Sequence, residues 1–307
     1  MVTIEKTTYP GYGGCYRLSN GSVELFASID VGPRIACYRF IGCENILAEL
    51  GPDKKVDSEL GIWYSRGGSR LWHAPEVMPR SYSPDNDPVE CEMVGSDSVR
   101  LVQPVEPETK IQKEILIKLN QDGSGVTITS KLTNRGLWPV ELAPWNPSVM
   151  RGGGFSFFPQ EPFISHDDYL LPSRPMVLWH FTDMTDPRWT FGKKYVRLQS
   201  DDRYPEPQKI GAAVKLGWAG YYIEDTLFVK RFPYFEDVEY PDYGCNFETY
   251  CAGSFLEVET LAPLAVIGQD ESVTHVEKWY LFKGVETGDS EESFDKAIMP
   301  YIEQTVE

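Results

Sequence analysis

The chain has 307 residues, 41% of them hydrophobic and 24% charged, so it can bury a large core and is not a disordered tail. Its net charge is −17 at pH 7, and residues 1–80 hold equal numbers of basic and acidic side chains. The whole excess of negative charge therefore falls on residues 81–307. Because such a field repels nucleic acid and anionic membranes, we expect neither as a partner.

The composition favours β-structure in one unit. Eight Trp, 17 Tyr and 15 Phe suit strands, where rings pack on a pleated surface, and 26 Gly with 23 Pro suit many short elements joined by turns. Large β-sandwiches often reach this length as one domain, and no repeat, low-complexity tract or clear linker divides the chain. We therefore predict a single, mostly antiparallel β-sandwich domain over residues 1–307, with few short helices.

Alternating apolar residues predict strands along the whole chain. The clearest case is residues 110–119, in which Ile115, Ile117 and further aliphatic residues share one face at a period of two. The turn residues 120–125 then lead into a partner strand over 126–132, which predicts a hairpin. Other predicted strands are 22–30, 89–94, 98–103, 209–216, 226–232, 254–260 and 273–282.

One helix is predicted, at the end of the chain near residues 290–304. Ser290 supplies a cap, and the acidic residues after it place negative charge at the positive end of the helix dipole. The segments 52–90 and 159–208 are instead rich in Pro and aromatic residues and poor in alternation. Because long loops in a compact β domain tend to be functional, we expect them to contribute to the site.

The first residues lack the basic start and apolar core of a signal peptide, and no apolar stretch is long enough to span a bilayer. The six cysteines form no CxxC pair and show no zinc-like spacing. Reduced, mostly buried thiols of this kind are typical of cytosolic proteins, so we expect a cytoplasmic protein.

The first candidate for a functional site is the loop 65–76, which crowds unlike polar side chains between Gly and Pro residues. Its members of interest are Arg66, Arg70, Trp72, His73 and Glu76. Arginine forks hold sugar hydroxyls or carboxylates, tryptophan stacks on a pyranose face, and histidine moves protons near neutral pH. The alternative is an ordered loop with a structural histidine and an exposed ion pair. We favour a sugar site to which Arg70, Trp72 and Glu76 contribute binding groups.

The second candidate is residues 177–189, where His180 lies between aromatic residues. Such a histidine acts either as a proton donor in a site or as a packed core residue, and both interpretations stay open. The two remaining histidines have simpler interpretations. His166 precedes two aspartates and is expected in solvent, whereas His275 falls within a predicted strand and is expected to be structural.

The third candidate is the segment 240–260. In the predicted strand, Glu257 and Glu259 point to one face while Leu256 and Val258 point to the other. Two carboxylates beside apolar neighbours are costly when buried unpaired, so they require arginines, a metal or a substrate. Alternatively, they mark a solvent-facing strand. Adjacent carboxylates also raise one pKa, as an acid–base site needs.

Asp242 and Asn246 precede this strand and are further candidates for sugar binding. Four acidic side chains of the segment could hold calcium through oxygen ligands, namely Asp242, Glu248, Glu257 and Glu259. They lack the regular spacing of a known calcium loop, and no P-loop, GxSxG or HExxH motif occurs in the chain. We therefore predict neither a metal nor a cofactor.

Several blocks resemble a known family. Residues 31–36 and 44–47 resemble the opening of aldose 1-epimerase-like proteins, in which a small-residue turn and a basic residue precede a short strand. Residues 67–76, 143–145 with 152–154, and 255–279 resemble a branch of the galactose mutarotase-like superfamily. These blocks span most of the chain. The resemblance implies a large antiparallel supersandwich, the fold of that superfamily.

The resemblance also implies roles for individual residues. Aldose epimerases use a glutamate near the C-terminal end as base, and histidines as acid or positioning groups. The base maps onto Glu257 or Glu259, the first histidine onto His73 and the second onto His180. The sequence departs from the epimerase pattern around residues 165–190, where the usual context of the second histidine is missing.

Of the two glutamates we favour Glu257 as the base, because it follows a leucine as the base does in the resembling epimerases. We expect Glu259 to fix an arginine, such as Arg34 or Arg70. Arg34 is also a candidate for positioning a sugar. His73, Arg70 and at least one of the two glutamates are expected to converge in one cleft.

The function predicted from these residues is an aldose 1-epimerase-type interconversion of sugar anomers, with a Glu base and a His acid. The first alternative is a non-catalytic carbohydrate-binding protein on the same scaffold. A polysaccharide lyase is less favoured, and for it Tyr82, His73 and Arg80 are the candidate groups. The expected partner is a small sugar, and the sequence favours no particular oligomeric state.

Overall fold

The computed structural model describes residues 1–306 and consists mainly of antiparallel strands. The strands are β1 Thr3–Tyr9, β2 Gly13–Ser19, β3 Val23–Ser28, β4 Arg34–Phe40, β5 Lys55–Ser58, β6 Gly61–Tyr64, β7 Ser69–Arg70, β8 Trp72–Ala74, β9 Glu90–Val94, β10 Ser98–Val102, β11 Ile111–Leu119, β12 Val126–Asn134, β13 Val140–Met150, β14 Phe155–Pro159, β15 Met176–Leu178, β16 Trp189–Phe191, β17 Tyr195–Gln199, β18 Gln208–Ala212, β19 Trp218–Ile223, β20 Thr226–Arg231, β21 Phe247–Ala252, β22 Phe255–Leu261, β23 Ala265–Ile267 and β24 Ser272–Phe282. The helices are α1 Pro241–Gly244, α2 Glu291–Glu303 and a 3-10 turn at Arg80–Tyr82.

Two large sheets form the body of the molecule. The first has the order β1-β2-β3-β4-β7-β13-β22-β21-β18-β15, with β8 and β23 also pairing with β13. The second has the order β16-β17-β14-β19-β20-β24-β12-β11-β10-β9. A separate hairpin is formed by β5 and β6. The large antiparallel β-sandwich predicted from the sequence is thereby confirmed.

The main core lies between the two sheets because alternate residues of each strand point inward. Leu256 and Val258 of β22 belong to this core, as do Ile117 and Ile128 of the second sheet. The intervening residues of β22, among them Glu257, point to the opposite face of the first sheet. This outer face carries the functional site described below.

The hairpin predicted from alternation is formed by β11 and β12, which pair from Ile111↔Asn134 to Leu119↔Val126. One polar residue interrupts the apolar face of β11. Lys113 is only 2% exposed and shares the inward side with the isoleucines, where its Nζ lies 2.6 Å from Glu106 Oε1. The buried ion pair compensates a charge that the alternation places on the core face.

Helix α2 covers the outer face of the second sheet. The side chain of Ser290 caps it by accepting a hydrogen bond from the backbone N–H of Ser293. Phe294, Ile298 and Ile302, four residues apart, are buried against a cluster that includes Phe157 of β14. The resulting order of layers is helix, second sheet, core, first sheet and outer-face cavity.

The segments 52–90 and 159–208, predicted as long loops, contain short strands that the alternation did not reveal. In the first, the chain enters β7 through Gly67 and Gly68, both with positive φ. A Cβ on Gly67 would lie 2.0 Å from the carbonyl oxygen of Ala48, and one on Gly68 would lie 2.4 Å from that of Ile35. Only glycine permits this close approach, which brings the following Arg70 and Trp72 onto the sheet.

Candidate functional site

A cavity of about 440 Å³ lies on the outer face of the first sheet, a volume suited to a small ligand. Its floor is formed by side chains from β7, β8, β13, β18, β21 and β22. The β5–β6 hairpin contributes Lys55, Val56 and Trp63 on one side, and Trp179 and Phe181, which follow β15, also line it. The long aromatic-rich segments therefore supply its walls.

Aromatic rings dominate these walls. Trp72 lies opposite Trp145 on adjacent strands, with ring centroids 5.2 Å apart, and its centroid is 5.0 Å from those of both Trp63 and Tyr82. Trp72 and Trp145 are nearly buried, whereas Trp179 is half-buried. The packed rings fix the shape of the cavity, and the more open Trp179 can stack on a ligand.

One ion pair crosses the floor. Arg70 Nη1 donates to Glu257 Oε1 at 3.0 Å, and the two residues are 5% and 8% exposed. The Arg70 guanidinium also lies over the ring of Trp72, 4.2 Å from the centroid, and over that of Trp63 at 5.3 Å. These contacts hold the guanidinium, and through it the carboxylate of Glu257, in a fixed orientation at the cavity surface.

A second group of charges lies beside this pair. Lys209 Nζ is 2.7 Å from Glu248 Oε2 and 3.5 Å from Glu259 Oε2, and Trp145 Nε1 donates to the same Glu259 oxygen at 2.8 Å. Lys209 lines the cavity, whereas Glu248 and Glu259 are buried behind it at 1% and 0% exposure. We refer to Lys209, Glu248 and Glu259 as the lysine–glutamate cluster.

The cluster holds more negative than positive charge when all three groups are ionised. Burial raises the pKa of Glu259 to about 7, and burial also raises the pKa of Glu248 well above its usual range. Burial alone would lower the pKa of Lys209, but the neighbouring Glu248 and Glu259 carboxylates outweigh it and raise this pKa. The ammonium therefore stays charged while the Glu259 carboxyl titrates near neutral pH.

The structure brings together several residues predicted from sequence. Arg70, Trp72, Glu76 and Glu257 all line the cavity, although they come from segments 65–76 and 254–260. Glu76 is exposed at its edge and accepts a hydrogen bond from the hydroxyl of Tyr82. Glu259 lies directly behind the wall formed by Trp145.

His73 lies outside the cavity. On β8 it alternates with Trp72, so its ring points to the inter-sheet side, where Nε2 is 3.6 Å from Glu106 Oε2. It is fully buried, and burial lowers its pKa. Lys113 and His73 outweigh burial at Glu106 and hold the pKa of this carboxyl at about 2. The expected convergence of His73 with Arg70 and Glu257 is wrong, because neighbouring strand residues face opposite sides of the sheet.

The other histidines also lie away from the cavity floor. His180 is exposed, and its neighbours Trp179 and Phe181 line the cavity in its place. His166 is exposed beside Asp167, and His275 is buried in the core with Nε2 3.0 Å from Thr260 Oγ1. Burial lowers the pKa of His275 to about 4. Within residues 1–306, no histidine lines the cavity.

Three residues predicted to bind a sugar have structural contacts instead. Arg34 is fully buried, and its Nε lies 2.5 Å from Asp85 Oδ2. Asn246 is buried, and its side chain binds both the N–H and the carbonyl of Val214. Asp242 lies in the short α1 turn and is not part of the cavity lining.

The two glutamates differ in a way opposite to that expected. Glu257, expected to act as the base, binds Arg70, whereas Glu259, expected to fix an arginine, contacts Lys209 and Trp145 instead. Lys209 pairs with Tyr250 of β21, which pairs with Glu257, but the lysine side chain reaches diagonally to Glu248 and to Glu259, the cross-strand partner of Glu248.

Sequence analysis did not single out Lys209 or Trp145 as site residues. Lys209 was visible only as the start of a strand, and Trp145 only as part of the family resemblance. A signal was present, since a lysine inside a predicted strand must find a carboxylate when it is buried. Its partner Glu248 was visible only as a possible calcium ligand, whereas Glu259 was a candidate for the base or for an arginine partner.

The acidic residues of β21 and β22 do not form a metal site. Among residues 1–306, no group of three or more His, Cys, Asp and Glu side chains is arranged to hold a metal ion. The Lys209 ammonium lies between Glu248 and Glu259, where a cation would otherwise be needed. No helix in the same part of the chain has both the length and the apolar character required to cross a membrane.

The architecture and cavity define a class of fold, an antiparallel β-supersandwich with an aromatic cavity on the outer face of one sheet. Solved structures with this architecture include galactose mutarotase-like and aldose 1-epimerase-like proteins, and the chain shares their fold. No family model and no curated protein matches the sequence.

Three structures illustrate the similarity. A galactose mutarotase-like protein from Lactobacillus casei matches 88% of this chain and 100% of its own, at 11% identity and a TM-score of 0.57. A putative aldose 1-epimerase from Escherichia coli K12 matches 92% of this chain and 100% of its own, at 14% identity and a TM-score of 0.50. A TPR-domain containing protein from Parabacteroides distasonis matches 91% of this chain, at 12% identity and a TM-score of 0.58. The chain spans about half, 49%, of the length of that last protein.

Proposed function

We propose that this protein binds a monosaccharide-sized sugar in the aromatic cavity and interconverts its anomers, with Glu257 as the base. The observation that carries the proposal is the Arg70–Glu257 pair on the floor of a cavity walled by tryptophans. Carboxylate and guanidinium groups bind sugar hydroxyls, while aromatic faces bind the apolar side of a pyranose. The fold shared with mutarotase-like proteins supports the same assignment.

The role of the base follows from the position of Glu257. Its Oε1 accepts from Arg70, which leaves the second oxygen of a cavity-lining carboxylate to meet a ligand. In anomer exchange this oxygen takes the proton of the anomeric hydroxyl while the bond from C1 to the ring oxygen breaks and the ring oxygen takes a proton. Rotation about C1–C2 and the reverse steps then close the other anomer, with no net gain or loss of protons.

A non-catalytic carbohydrate-binding protein is the second candidate. It is favoured by the absence of any histidine from the cavity lining of residues 1–306, since the expected imidazole acid has no counterpart there. The lyase alternative is weaker, because His73, one of its three candidate groups, faces the core. Binding and exchange share one cavity, so a single experiment separates them.

The experiment measures anomer exchange by saturation-transfer NMR for glucose, galactose, mannose and xylose, with chemical-shift titration in the same samples. The proposal predicts protein-dependent exchange of at least one aldose. Saturable shifts with no acceleration of exchange identify a binding protein. If none of these aldoses shows either chemical-shift changes or protein-dependent exchange, the proposal is contradicted.

A further inference from the structure

We propose that Lys209 donates the proton to the ring oxygen of the sugar and is recharged by the carboxyl pair Glu248–Glu259 behind it. This inference rests on the proposed function and supplies an acid in place of the histidine expected from the sequence. It makes Lys209 a catalytic residue, and it makes Glu248 and Glu259 a proton store that acts through Lys209.

The cluster is built by the register of three adjacent strands. Glu248 of β21 lies directly opposite Glu259 of β22. Lys209 of β18 pairs with Tyr250, two residues from Glu248 on the same face, so the ammonium reaches both carboxylates diagonally. The ammonium also lies 4.8 Å from the Trp145 ring centroid and 4.7 Å from that of Trp179, both of which line the cavity. Lys209 thus connects the cavity with the buried carboxyls.

The charges of the lysine–glutamate cluster balance only if its two carboxyl groups share one proton. One ammonium and two carboxylates, all nearly inaccessible to water, would leave a net negative charge buried, which is costly. A single proton on the carboxyl pair balances the cluster, and it has atoms to occupy. Glu248 Oε1 and Glu259 Oε1 are buried and have no hydrogen-bond partner among residues 1–306.

The charges around the cluster do not remove this requirement. Glu257, Glu76 and Asp242 add negative potential from neighbouring elements and favour the protonated carboxyl. Arg70 opposes them at Glu259, but its guanidinium is already bound to Glu257. Lys230, on the core side, is bound to Glu277 at 3.1 Å. The raised pKa of Glu259, about 7, agrees with a proton held at neutral pH.

The proton route balances. Glu257 takes the proton of the anomeric hydroxyl, the electrons of that O–H bond form the C1 carbonyl, and the bond from C1 to the ring oxygen breaks. Lys209 gives an ammonium proton to the ring oxygen and takes one from the carboxyl pair. Ring closure on the other face reverses each transfer, so enzyme and sugar regain their protons. The net donor is a carboxylic acid with a pKa near the working pH, as efficient acid catalysis requires.

The same contacts argue against a covalent role for Lys209. An imine with the open-chain aldehyde needs a neutral amine, and two carboxylates stabilise the ammonium. The expected result of borohydride treatment in the presence of galactose is therefore no labelling of Lys209.

The test compares four forms of the full chain. Glu259→Gln removes the proton store but keeps the shape of the side chain. Lys209→Arg keeps the charge that neutralises the carboxylates, so folding is preserved, but a guanidinium does not release a proton. Glu114→Gln is the control, since Glu114 is a half-buried carboxylate that binds Arg100 and Lys131 on the second sheet. The readouts are the pH profile of anomer exchange, sugar binding, and the infrared absorption of protonated carboxyls.

In the wild type we expect exchange to decline as pH rises above about 7, where the store loses its proton. Lys209→Arg and Glu259→Gln should each lower kcat about 10²-fold or more, with binding retained. Glu259→Gln should also lose an infrared band of a protonated carboxyl, and its pH profile of exchange should lose the decline above about pH 7. Glu114→Gln should match the wild type.

The outcomes separate the two proposals. A wild-type protein that exchanges anomers while Lys209→Arg and Glu259→Gln keep its rate and pH profile overturns this inference and leaves the proposed function standing. Labelling of Lys209 by borohydride also overturns it. No exchange in the wild type overturns the proposed function and, with it, the reaction that the cluster would serve.

Discussion

Arg70 and Glu257, 187 residues apart in the sequence, form an ion pair on the floor of the cavity. The pair is nearly buried, so removing one partner leaves an uncompensated charge in an apolar wall. We expect Arg70→Ala to lower the free energy of unfolding by about 3–5 kcal/mol, and the double variant Arg70→Met/Glu257→Leu to recover part of this loss.

Urea denaturation of the three proteins measures these free energies. The control is Lys296→Ala, whose pair with Glu292 is exposed and should contribute little to stability. Equal losses in Arg70→Ala and the double variant would contradict the expected recovery.

Trp179 is the wall residue best placed to stack on a sugar, because it is only half-buried and lies over the Lys209 ammonium. We expect Trp179→Ala to weaken sugar binding about tenfold, equivalent to about 1.4 kcal/mol, with little change in stability. Trp138→Ala provides the control, since Trp138 is 81% exposed and does not line the cavity. Titration calorimetry with the accepted sugar measures the affinity of both variants. Unchanged affinity in Trp179→Ala would show that this ring is not part of the site.

The lysine–glutamate cluster makes the stability of the protein depend on pH. Burial raises the pKa of Glu259 from 4.5 to about 7, so between these values the folded protein holds a proton that the unfolded chain has released. This contribution is fully present below about pH 4.5 and is lost as pH rises through about 7. We expect Glu259→Gln to lose this part of the pH dependence in thermal unfolding curves, and an identical slope in both proteins would contradict the assignment.

His73 is expected to matter for stability and not for exchange, because its ring lies on the core side beside Glu106. We predict that His73→Ala lowers the melting temperature and leaves the kcat of the folded fraction unchanged. Calorimetry and exchange kinetics on the same preparation test both parts. A folded His73→Ala protein without activity would return the histidine to the mechanism.

The fold was accessible from sequence because alternation at a period of two survives wherever one face of a strand is buried. It revealed β11 and β12, where Ile115 and Ile117 mark the core face. It failed at β7 and β8, which have two and three residues, too few to show a period. The cytoplasmic location stays a prediction.

The candidate site was only partly accessible. Arg70, Trp72 and Glu257 were found because unlike polar and aromatic side chains are costly features that need partners. The error at His73 arose from proximity in sequence, since it follows Trp72 but faces the other side of the sheet. Lys209 was missed because its meeting with Glu259 depends on the register of three strands, which the sequence does not give.

The most direct test of the account is the rate of anomer exchange in Glu257→Gln relative to the wild type, with one aldose that the wild-type protein accepts. Glutamine keeps the shape of the side chain and its contact with the cavity but cannot take the proton of the anomeric hydroxyl. The account predicts a fall in kcat of about 10²–10⁴-fold with the sugar still bound. Exchange at the wild-type rate in Glu257→Gln would contradict it.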